Sequence, residues 1–143
     1  MAADPSIVFF HTGGIPRYLR ATLESARYFN PDAAIVLITD QTPDGLDRMR
    51  IDVRKLGQLR GPKGDEFHSR YVHISTTKLD YERNCIGRWF YIAHLMQQEG
   101  HSRVVYLDSD AMLFHNAREL FAFMPSGPCL FCSHGHGPAV TFI

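Results

Sequence analysis

The chain has 143 residues, of which 45% are apolar, and its 15 basic side chains balance its 15 acidic ones. This length and composition are typical of one globular domain with a buried core, and no apolar run approaches the ~18 residues that span a bilayer. The zero net charge and the lack of a Lys- or Arg-rich tail favour neither nucleic acid nor an anionic membrane as a partner.

The first forty residues predict a βαβ unit. Residues 6–10 form a continuous apolar run, which predicts a strand buried on both faces. Pro16 suits a first helical position, and apolar residues then recur at helical spacing as far as Asn30-Pro31. A second buried strand is predicted at residues 34–39, and the crossover between the two strands is expected to be right-handed.

The middle of the chain predicts a weak strand and a long helix. The strand is expected at residues 51–56, and the polar, Gly-rich stretch 57–76 is expected to be a long connection that is functional or mobile rather than part of the core. A capping-box pattern at 77–80 and Gly100 predict a helix over residues 78–99. Its core-facing stripe is predicted to contain Leu79, Ile86, Trp89, Phe90, Ala93 and Met96.

The last forty residues predict a further buried strand at 103–107, followed by short elements. These are a strand at 112–114, a helix at 118–123, a strand at 128–132 and an apolar segment at 139–143. Helices that alternate with buried strands predict one α/β domain over residues 1–143, with a mainly parallel sheet flanked by helices.

Two carboxylates follow the strand at 103–107. If Asp108 and Asp110 keep strand geometry, they share one face about 6.6 Å apart. Two charges at that distance repel by roughly 2.5 kcal/mol at an effective dielectric of ~20, so the pair should protonate, separate or hold a cation. At the carboxyl edge of the sheet we expect Mg²⁺ or Mn²⁺. The repulsion also predicts that Asp108→Asn leaves the metal-free protein equally or slightly more stable, and a turn with solvated carboxylates remains the alternative.

The stretch RVVYLDSDAMLF resembles the DxD segment of nucleotide-sugar glycosyltransferases of the GT-A fold, in particular the group with glycogenin and bacterial lipopolysaccharide sugar transferases. In matching order, SIVFFHTGG looks like their first strand and donor loop, and AIVLITDQ like their second strand with its terminal acid. YERNCIGRWFYIAHLM looks like the helix before DxD, with an arginine that faces the donor.

The resemblance implies a Rossmann-like half that binds a nucleotide-diphospho-sugar, with a UDP-sugar as the expected donor. It implies a metal-dependent enzyme that transfers the sugar to an acceptor, which can be a glycan, a lipid-linked sugar or a protein. The acceptor-binding half of such enzymes would begin about where this chain stops, at GPAVTFI. The chain is therefore expected to be truncated after its donor-binding half, and a non-catalytic or truncated nucleotide-sugar-binding module is the alternative function.

The resemblance also implies roles for individual residues. Asp108 and Asp110 would hold Mn²⁺ or Mg²⁺ on the donor diphosphate and, with Arg88, would form the catalytic set. The expected donor-binding residues are His11, Thr12, Asp40, Lys78, Arg88 and Ser109.

Plainer interpretations of these residues stay open. His11-Thr12 and Asp40 can be turn residues at strand ends, and Lys78 can be a solvated side chain. Arg88 can lie on the surface, but apolar neighbours on its side of the helix indicate that it needs a partner: diphosphate, donor sugar or an aspartate of the motif. An aspartyl phosphatase fits poorly, because its nucleophilic aspartate would be expected on the first strand.

The cysteines are expected to be free thiols. Cys129 and Cys132, with nearby histidines, have zinc-ligand chemistry, but residues three apart on a strand point to opposite faces and no second ligand pair follows. The N-terminus has an acid and a proline where a signal peptide would have basic and apolar residues. We therefore expect a cytoplasmic chain with reduced thiols.

Overall fold

The fold is known from a computed structural model that describes residues 5–124, 129–132 and 138–143. The described strands form one sheet in the order β3-β2-β1-β4-β6-β5. Strands β1 to β4 run parallel, and β6 is antiparallel to both β4 and β5. The predicted α/β fold with a mainly parallel sheet is confirmed. The strands are β1 (Ser6–His11), β2 (Ile35–Thr39), β3 (Ile51–Lys55), β4 (Val104–Asp108), β5 (Cys129–Cys132) and β6 (Pro138–Phe142).

Helices cover both faces of this sheet. They are α1 (Arg17–Phe29), α2 (Gly61–Arg70), α3 (Leu79–Glu99) and α4 (Ala117–Ala122), with short 3₁₀ turns at Asp47–Met49 and Leu56–Gln58. Within the described residues, no helix is both long and apolar enough to cross a membrane. Gly100 ends α3 in the left-handed conformation, as predicted, whereas the N-cap of α3 is Lys78 and makes no side-chain capping bond.

Helix α2 lies inside the stretch 57–76, where the sequence predicted a long connection and no helix. The helix has little apolar periodicity of its own and is stabilised by packing on α3. Phe67 of α2 stacks on Phe90 of α3 with ring centroids 5.0 Å apart. The two helices approach closely at Gly87, where an added Cβ would lie 3.4 Å from the Phe67 ring. Tertiary contacts of this kind leave no repeating signal in the sequence.

The predicted strand at 112–114 is also absent from the described structure. Residues 111–114 have no regular structure, and Leu113 is held instead by the Ser25 hydroxyl, which donates to its carbonyl oxygen at 2.6 Å. A side chain of α1 thus supplies the hydrogen bond that a neighbouring strand would have supplied.

The sheet is buried on both faces because successive strand residues point to opposite sides. One face packs in a core with α1 that includes Phe9 and Leu23. The other packs in a core with α3 that includes Val8, Ile92 and Leu95. The carboxyl ends of β1, β2 and β4 therefore lie side by side at one edge, between two layers of helix.

The stripe that α3 turns toward the sheet differs from the predicted one. Leu79 and Ile86 are 39% and 41% exposed, and Ala93 is exposed as well, whereas Trp89 and Met96 are partly buried. Because α3 is covered by both the sheet and α2, its apolar residues do not single out one face. The residues that are buried are Gly87, Tyr91, Ile92 and Leu95.

A cluster of polar side chains joins β3 to the end of α3. Arg54 donates from Nε and Nη2 to the two carboxylate oxygens of Glu99, at 2.6 and 3.2 Å. His101 Nε2 lies 3.3 Å from Glu99 Oε2, and the Ser6 hydroxyl lies 2.8 Å from His101 Nδ1. The hydrogen bonds from Arg54 lower the pKa of Glu99, and its side chain is only 27% exposed. The pair therefore contributes more than an exposed ion pair would.

We predict that Glu99→Gln lowers the free energy of unfolding at pH 7 by about 1 kcal/mol. Because the folded-state pKa of Glu99 lies below its ordinary value of 4.5, the stabilisation is complete above that pH and is lost as the pH falls through the lowered pKa. Urea unfolding at pH 7 and pH 3 measures both effects. Glu24→Gln is the control, since the Arg20–Glu24 pair is 64% and 53% exposed and should contribute little. A deficit of equal size at both pH values would contradict the assignment.

Candidate functional site

The carboxyl edge of the sheet brings polar residues of three neighbouring strands together. β1 ends at His11 and leads into Thr12, β2 is followed directly by Asp40, and β4 ends at Asp108. The register places Phe10 beside Asp108 and His11 beside Thr39, so the three strand ends are level. Open α/β sheets bind ligands at this edge.

Arg88 and Tyr106 both contact one oxygen of Asp108. Arg88 Nη1 donates to Asp108 Oδ1 at 2.7 Å and to the Tyr106 hydroxyl oxygen at 2.6 Å. The Tyr106 hydroxyl donates in turn to Asp108 Oδ1 at 2.5 Å. The arginine carbon Cζ also lies 5.2 Å from the ring centroids of Trp89 and Tyr106. The side chains of Arg88 and Asp108 are 16% and 29% exposed, so this ion pair is largely shielded from water.

Tyr106 keeps its proton in this cluster. Its side chain is fully buried, and this burial raises its pKa far above neutral pH. The phenol therefore acts as a hydrogen-bond donor to Asp108 at physiological pH. Arg88 supplies the compensating charge, and Tyr106 fixes the orientation of the carboxylate.

Asp108 and Asp110 do not keep the strand geometry that their predicted repulsion assumes. β4 ends at Asp108, residues 109 and 110 form a turn, and the Ala111 amide donates to the Asp108 carbonyl at 2.9 Å. Asp110 is exposed to solvent, whereas Asp108 is paired with Arg88. The metal-free chain thus relieves the repulsion by a turn and a guanidinium. The sequence left three possible partners open for Arg88. In the structure its partner is Asp108, an aspartate of the motif.

His11 and Ser109 link the loop after β1 to the turn after β4. His11 Nε2 donates to the Gly14 carbonyl at 2.9 Å, so Nδ1 is left to accept from the Ser109 hydroxyl at 3.1 Å. The Thr22 hydroxyl of α1 donates to the Ser109 carbonyl at 3.0 Å. Both ring nitrogens of His11 therefore have protein partners. The bond between His11 and Ser109 joins the two loops, and Thr22 connects the turn after β4 to α1.

Thr12 and Asp40 are held by further contacts at the same edge. Asn84 Nδ2 of α3 donates to the Thr12 hydroxyl oxygen at 3.1 Å. The Gly13 amide donates to the Asp40 carboxylate oxygens at 3.0 and 3.2 Å. Gly13 has a φ of +83°, a left-handed conformation that side chains other than glycine rarely adopt. Gln41 also donates to Asp40, at 3.1 Å. These bonds tie the loops after β1 and β2 to each other and to α3.

Like Asp110, Lys78 is a predicted site residue whose side chain the described structure does not join to the others. It is exposed at the N-cap of α3, and no hydrogen bond or ion pair of its side chain to a site residue is seen in the described structure. Two contributing residues, Tyr106 and Asn84, were missed by the sequence prediction. Tyr106 lies two residues before Asp108 on a strand, and Asn84 lies one turn before Arg88 on a helix. Both spacings place side chains on one face, which is the signal that could have identified them.

The carboxylates at this edge could hold a divalent cation only if water and a bound molecule supplied the rest of its coordination. Across the ranges 5–124, 129–132 and 138–143, no group of three or more His, Cys, Asp or Glu side chains could hold a metal ion. The contacts of Asp108 with Arg88 and Tyr106 both go to Oδ1 and leave Oδ2 for a cation, and Asp110 is open to solvent. Two carboxylates with water and substrate phosphate are a donor set that Mg²⁺ accepts. The zinc alternative stays a prediction, because the structure describes the backbone of Cys129 and Cys132 but not their side chains.

We predict that Asp108→Asn destabilises the metal-free protein by about 1–2 kcal/mol, because Arg88 loses its charged partner in a shielded position. This reverses the expectation from carboxylate repulsion alone. Urea unfolding in EDTA at pH 7 measures the change. Asp110→Asn is the matched control and should shift the free energy of unfolding by less than about 0.5 kcal/mol, since Asp110 is exposed. An Asp108→Asn variant as stable as the parent would show that repulsion still dominates.

No family model matches the chain, and no curated protein matches it. Solved structures do match. The PaToxG glycosyltransferase superposes with a TM-score of 0.57 at 13% identity, over 97% of this chain and 52% of that one. The glycosyltransferase GlyE of Streptococcus pneumoniae TIGR4 has a TM-score of 0.53 at 18% identity, over 98% of this chain and 34% of its own. Mouse xyloside xylosyltransferase 1 has a TM-score of 0.53 at 15% identity, over 84% and 48%.

These matches show the fold. The described sheet and its flanking helices have the arrangement found in the three glycosyltransferase structures, and nearly the whole chain takes part in the similarity to two of them. The chain spans between about a third and about half of the length of those proteins. The chain thus has a glycosyltransferase-like α/β fold, with its polar cluster at the carboxyl edge of the parallel strands.

Proposed function

We propose that this chain is the donor-binding part of a metal-dependent glycosyltransferase and that it binds a nucleotide-diphospho-sugar, with a UDP-sugar as the expected donor. The observation that carries the proposal is the convergence of Thr12, Asp40, Arg88 and Asp108 at the level ends of three adjacent parallel strands. The fold shared with glycosyltransferase structures supports the same class of function.

The charges at this edge support a requirement for a cation. Asp40, Asp108 and Asp110 place three carboxylates there, and the guanidinium of Arg88 is already paired with Asp108. Lys55 adds one ammonium at the end of β3, where it donates to Gln41 and Thr42, but a diphosphate that approached this edge would still meet three carboxylates. Mn²⁺ or Mg²⁺ held by Asp110 and Asp108 Oδ2 would remove that repulsion. When bound, such an ion offsets the charge that develops on the nucleoside diphosphate as it leaves the anomeric carbon.

The chain's own residues would bind and orient the donor. Arg88 is the cationic side chain of the cluster that can donate to phosphate oxygens. Thr12 accepts a hydrogen bond from Asn84 and so keeps its own hydroxyl proton for the ribose or base. Asp40 is oriented by the Gly13 amide and has acceptor capacity left for a ribose hydroxyl or a base N–H.

His11, Ser109 and Lys78 have more limited roles in this proposal. His11 and Ser109 bond to each other and to the backbone, so we propose that they hold the two loops in place for the donor. A direct bond from His11 to the donor would require one of its present partners to be exchanged. Lys78 would reach the donor phosphate only from its exposed position at the start of α3.

We predict that Mn²⁺ or Mg²⁺ strengthens UDP binding by tenfold or more, in line with the usual range of coupling between two ligands, which is ~5–150-fold. Asp110→Asn should abolish most of this gain, because it removes a metal ligand without disturbing the Arg88–Asp108 pair. Calorimetric titration of UDP with Mn²⁺ and with EDTA measures the effect. Asp32→Asn is the matched control, since this exposed aspartate precedes β2 at the opposite edge of the sheet. Equal UDP affinity in Mn²⁺ and EDTA would contradict metal dependence.

The alternative, a non-catalytic nucleotide-sugar-binding module, shares the donor site but not the transfer. It is kept because the chain spans only part of the length of the matched glycosyltransferases. Transfer needs an acceptor held against the anomeric carbon with water excluded. Release of UDP from UDP-sugars with glycan, lipid-linked or peptide acceptors separates the two: acceptor-dependent turnover supports the enzyme, and donor binding without turnover supports the module.

A further inference from the structure

Arg88 neutralises Asp108 and is also the arginine that the proposed function assigns to the donor diphosphate. In the structure Arg88 Nη1 lies 2.7 Å from Asp108 Oδ1, the carboxylate that the proposed function assigns to the metal. The guanidinium of Arg88 and the proposed metal ion would therefore bind the same carboxylate. Because two positive charges close to the same carboxylate repel each other, each must weaken the binding of the other.

The contact between Arg88 and Asp108 leaves part of the guanidinium unused. An arginine–carboxylate pair at its strongest has two parallel N–H bonds to the two oxygens. Here Nη1 makes both contacts, to Asp108 Oδ1 and to Tyr106, while Nε is buried with no hydrogen-bond partner in the described structure. A bidentate contact with a diphosphate would replace these two contacts with two others, so the exchange would cost Arg88 no hydrogen bond.

Tyr106 allows Asp108 to keep its position when Arg88 leaves it. The buried hydroxyl donates to Asp108 Oδ1 at 2.5 Å independently of the arginine, and its ring packs edge-on against Trp89 with centroids 5.0 Å apart. Departure of the guanidinium would thus uncover charge on a carboxylate that is already oriented. Asp110, the other ligand, is solvated and has no such hold, so it should bind a metal only weakly alone.

From this geometry we propose that Arg88 is an exchangeable internal counterion: it occupies Asp108 in the free chain, moves to the diphosphate when the donor binds, and thereby makes the divalent cation and the nucleotide bind cooperatively. This inference rests on the proposed donor site and adds a regulation of that site. Without nucleotide, Arg88 keeps the affinity for metal low. With nucleotide, the same side chain contributes to donor binding, and Asp108 becomes fully available to the metal.

The test measures binding rather than turnover, with MnCl₂ and UDP as probes. Electron paramagnetic resonance of free Mn²⁺ gives its affinity with and without UDP, and calorimetry gives UDP affinity with and without Mn²⁺. By linkage the two coupling factors must agree, which checks the data internally. For Arg88→Gln we expect Mn²⁺ alone to bind about tenfold more tightly than to the parent chain, and the coupling factor to fall about tenfold.

Two further variants separate charge from packing. Tyr106→Phe removes the hydroxyl that orients Asp108 but keeps Arg88 as the counterion, so the affinity for Mn²⁺ alone should stay as low as in the parent. Arg88→Lys keeps the charge but has no planar fork, so affinity for Mn²⁺ alone should stay low while the coupling with UDP falls. Melting curves establish which variants fold. If Arg88→Gln does not fold, the coupling factor of Arg88→Lys tests the counterion instead.

The outcomes distinguish this inference from the function on which it rests. UDP binding that depends on Mn²⁺, together with unchanged affinity of Arg88→Gln for Mn²⁺ alone, would overturn the counterion and leave the donor site standing. Unchanged coupling in Arg88→Lys would do the same where the glutamine variant fails to fold. A parent chain that binds no UDP with or without Mn²⁺ would overturn both. An affinity for Mn²⁺ alone that rises as much in Tyr106→Phe as in Arg88→Gln would assign the effect to packing and also overturn the counterion.

Discussion

The ion pair between Arg88 and Asp108 is the interaction on which the candidate site depends, and the core packing of α3 sets its position. Arg88 lies on the same stripe of the helix as Ile92 and Leu95, which are completely buried against the sheet. The apolar part of the stripe fixes how the helix is rotated, and that rotation brings the guanidinium to the end of β4. A charge placed by a packed core keeps its position without a flexible loop to support it.

The loops at the carboxyl edge are held by bonds that connect different strands, in addition to bonds within each loop. His11 connects the loop after β1 to the turn after β4, and Asp40 connects β2 to Gly13. Thr12 is bound in turn from α3 by Asn84. Each link joins segments far apart in sequence, so the site is assembled only when the whole sheet is formed. In the proposed function this arrangement means that the donor meets groups that are already oriented.

The sequence predicted those parts of the fold and of the site whose signal is local. Strands β1, β2 and β4 lie within one residue of their predicted bounds, because an uninterrupted apolar run between turn residues has few other interpretations in an α/β chain. Helix α2 escaped prediction because close packing at Gly87 stabilises it in place of an apolar repeat. The sequence indicated that Arg88 needs a partner, but pairing between a helix and a strand is a tertiary fact that residue spacing does not contain. The assumed strand geometry at Asp108 and Asp110 was wrong, because the backbone turns at Ser109 and a guanidinium shares the charge; separation of the pair was one of the three outcomes that the sequence left open.

This internal pairing does not make a metal superfluous in the proposed function. A single guanidinium carries one positive charge, and it cannot stay on Asp108 and also serve a diphosphate. If Arg88 remains, the incoming phosphates meet the exposed carboxylates of Asp110 and Asp40. If Arg88 moves, Asp108 is uncovered in a position where both it and the arginine are largely shielded from water, and an unpaired charge there is costly. In the proposed function a further cation would balance these charges, and Asp108 and Asp110 would hold a divalent ion that compensates the diphosphate.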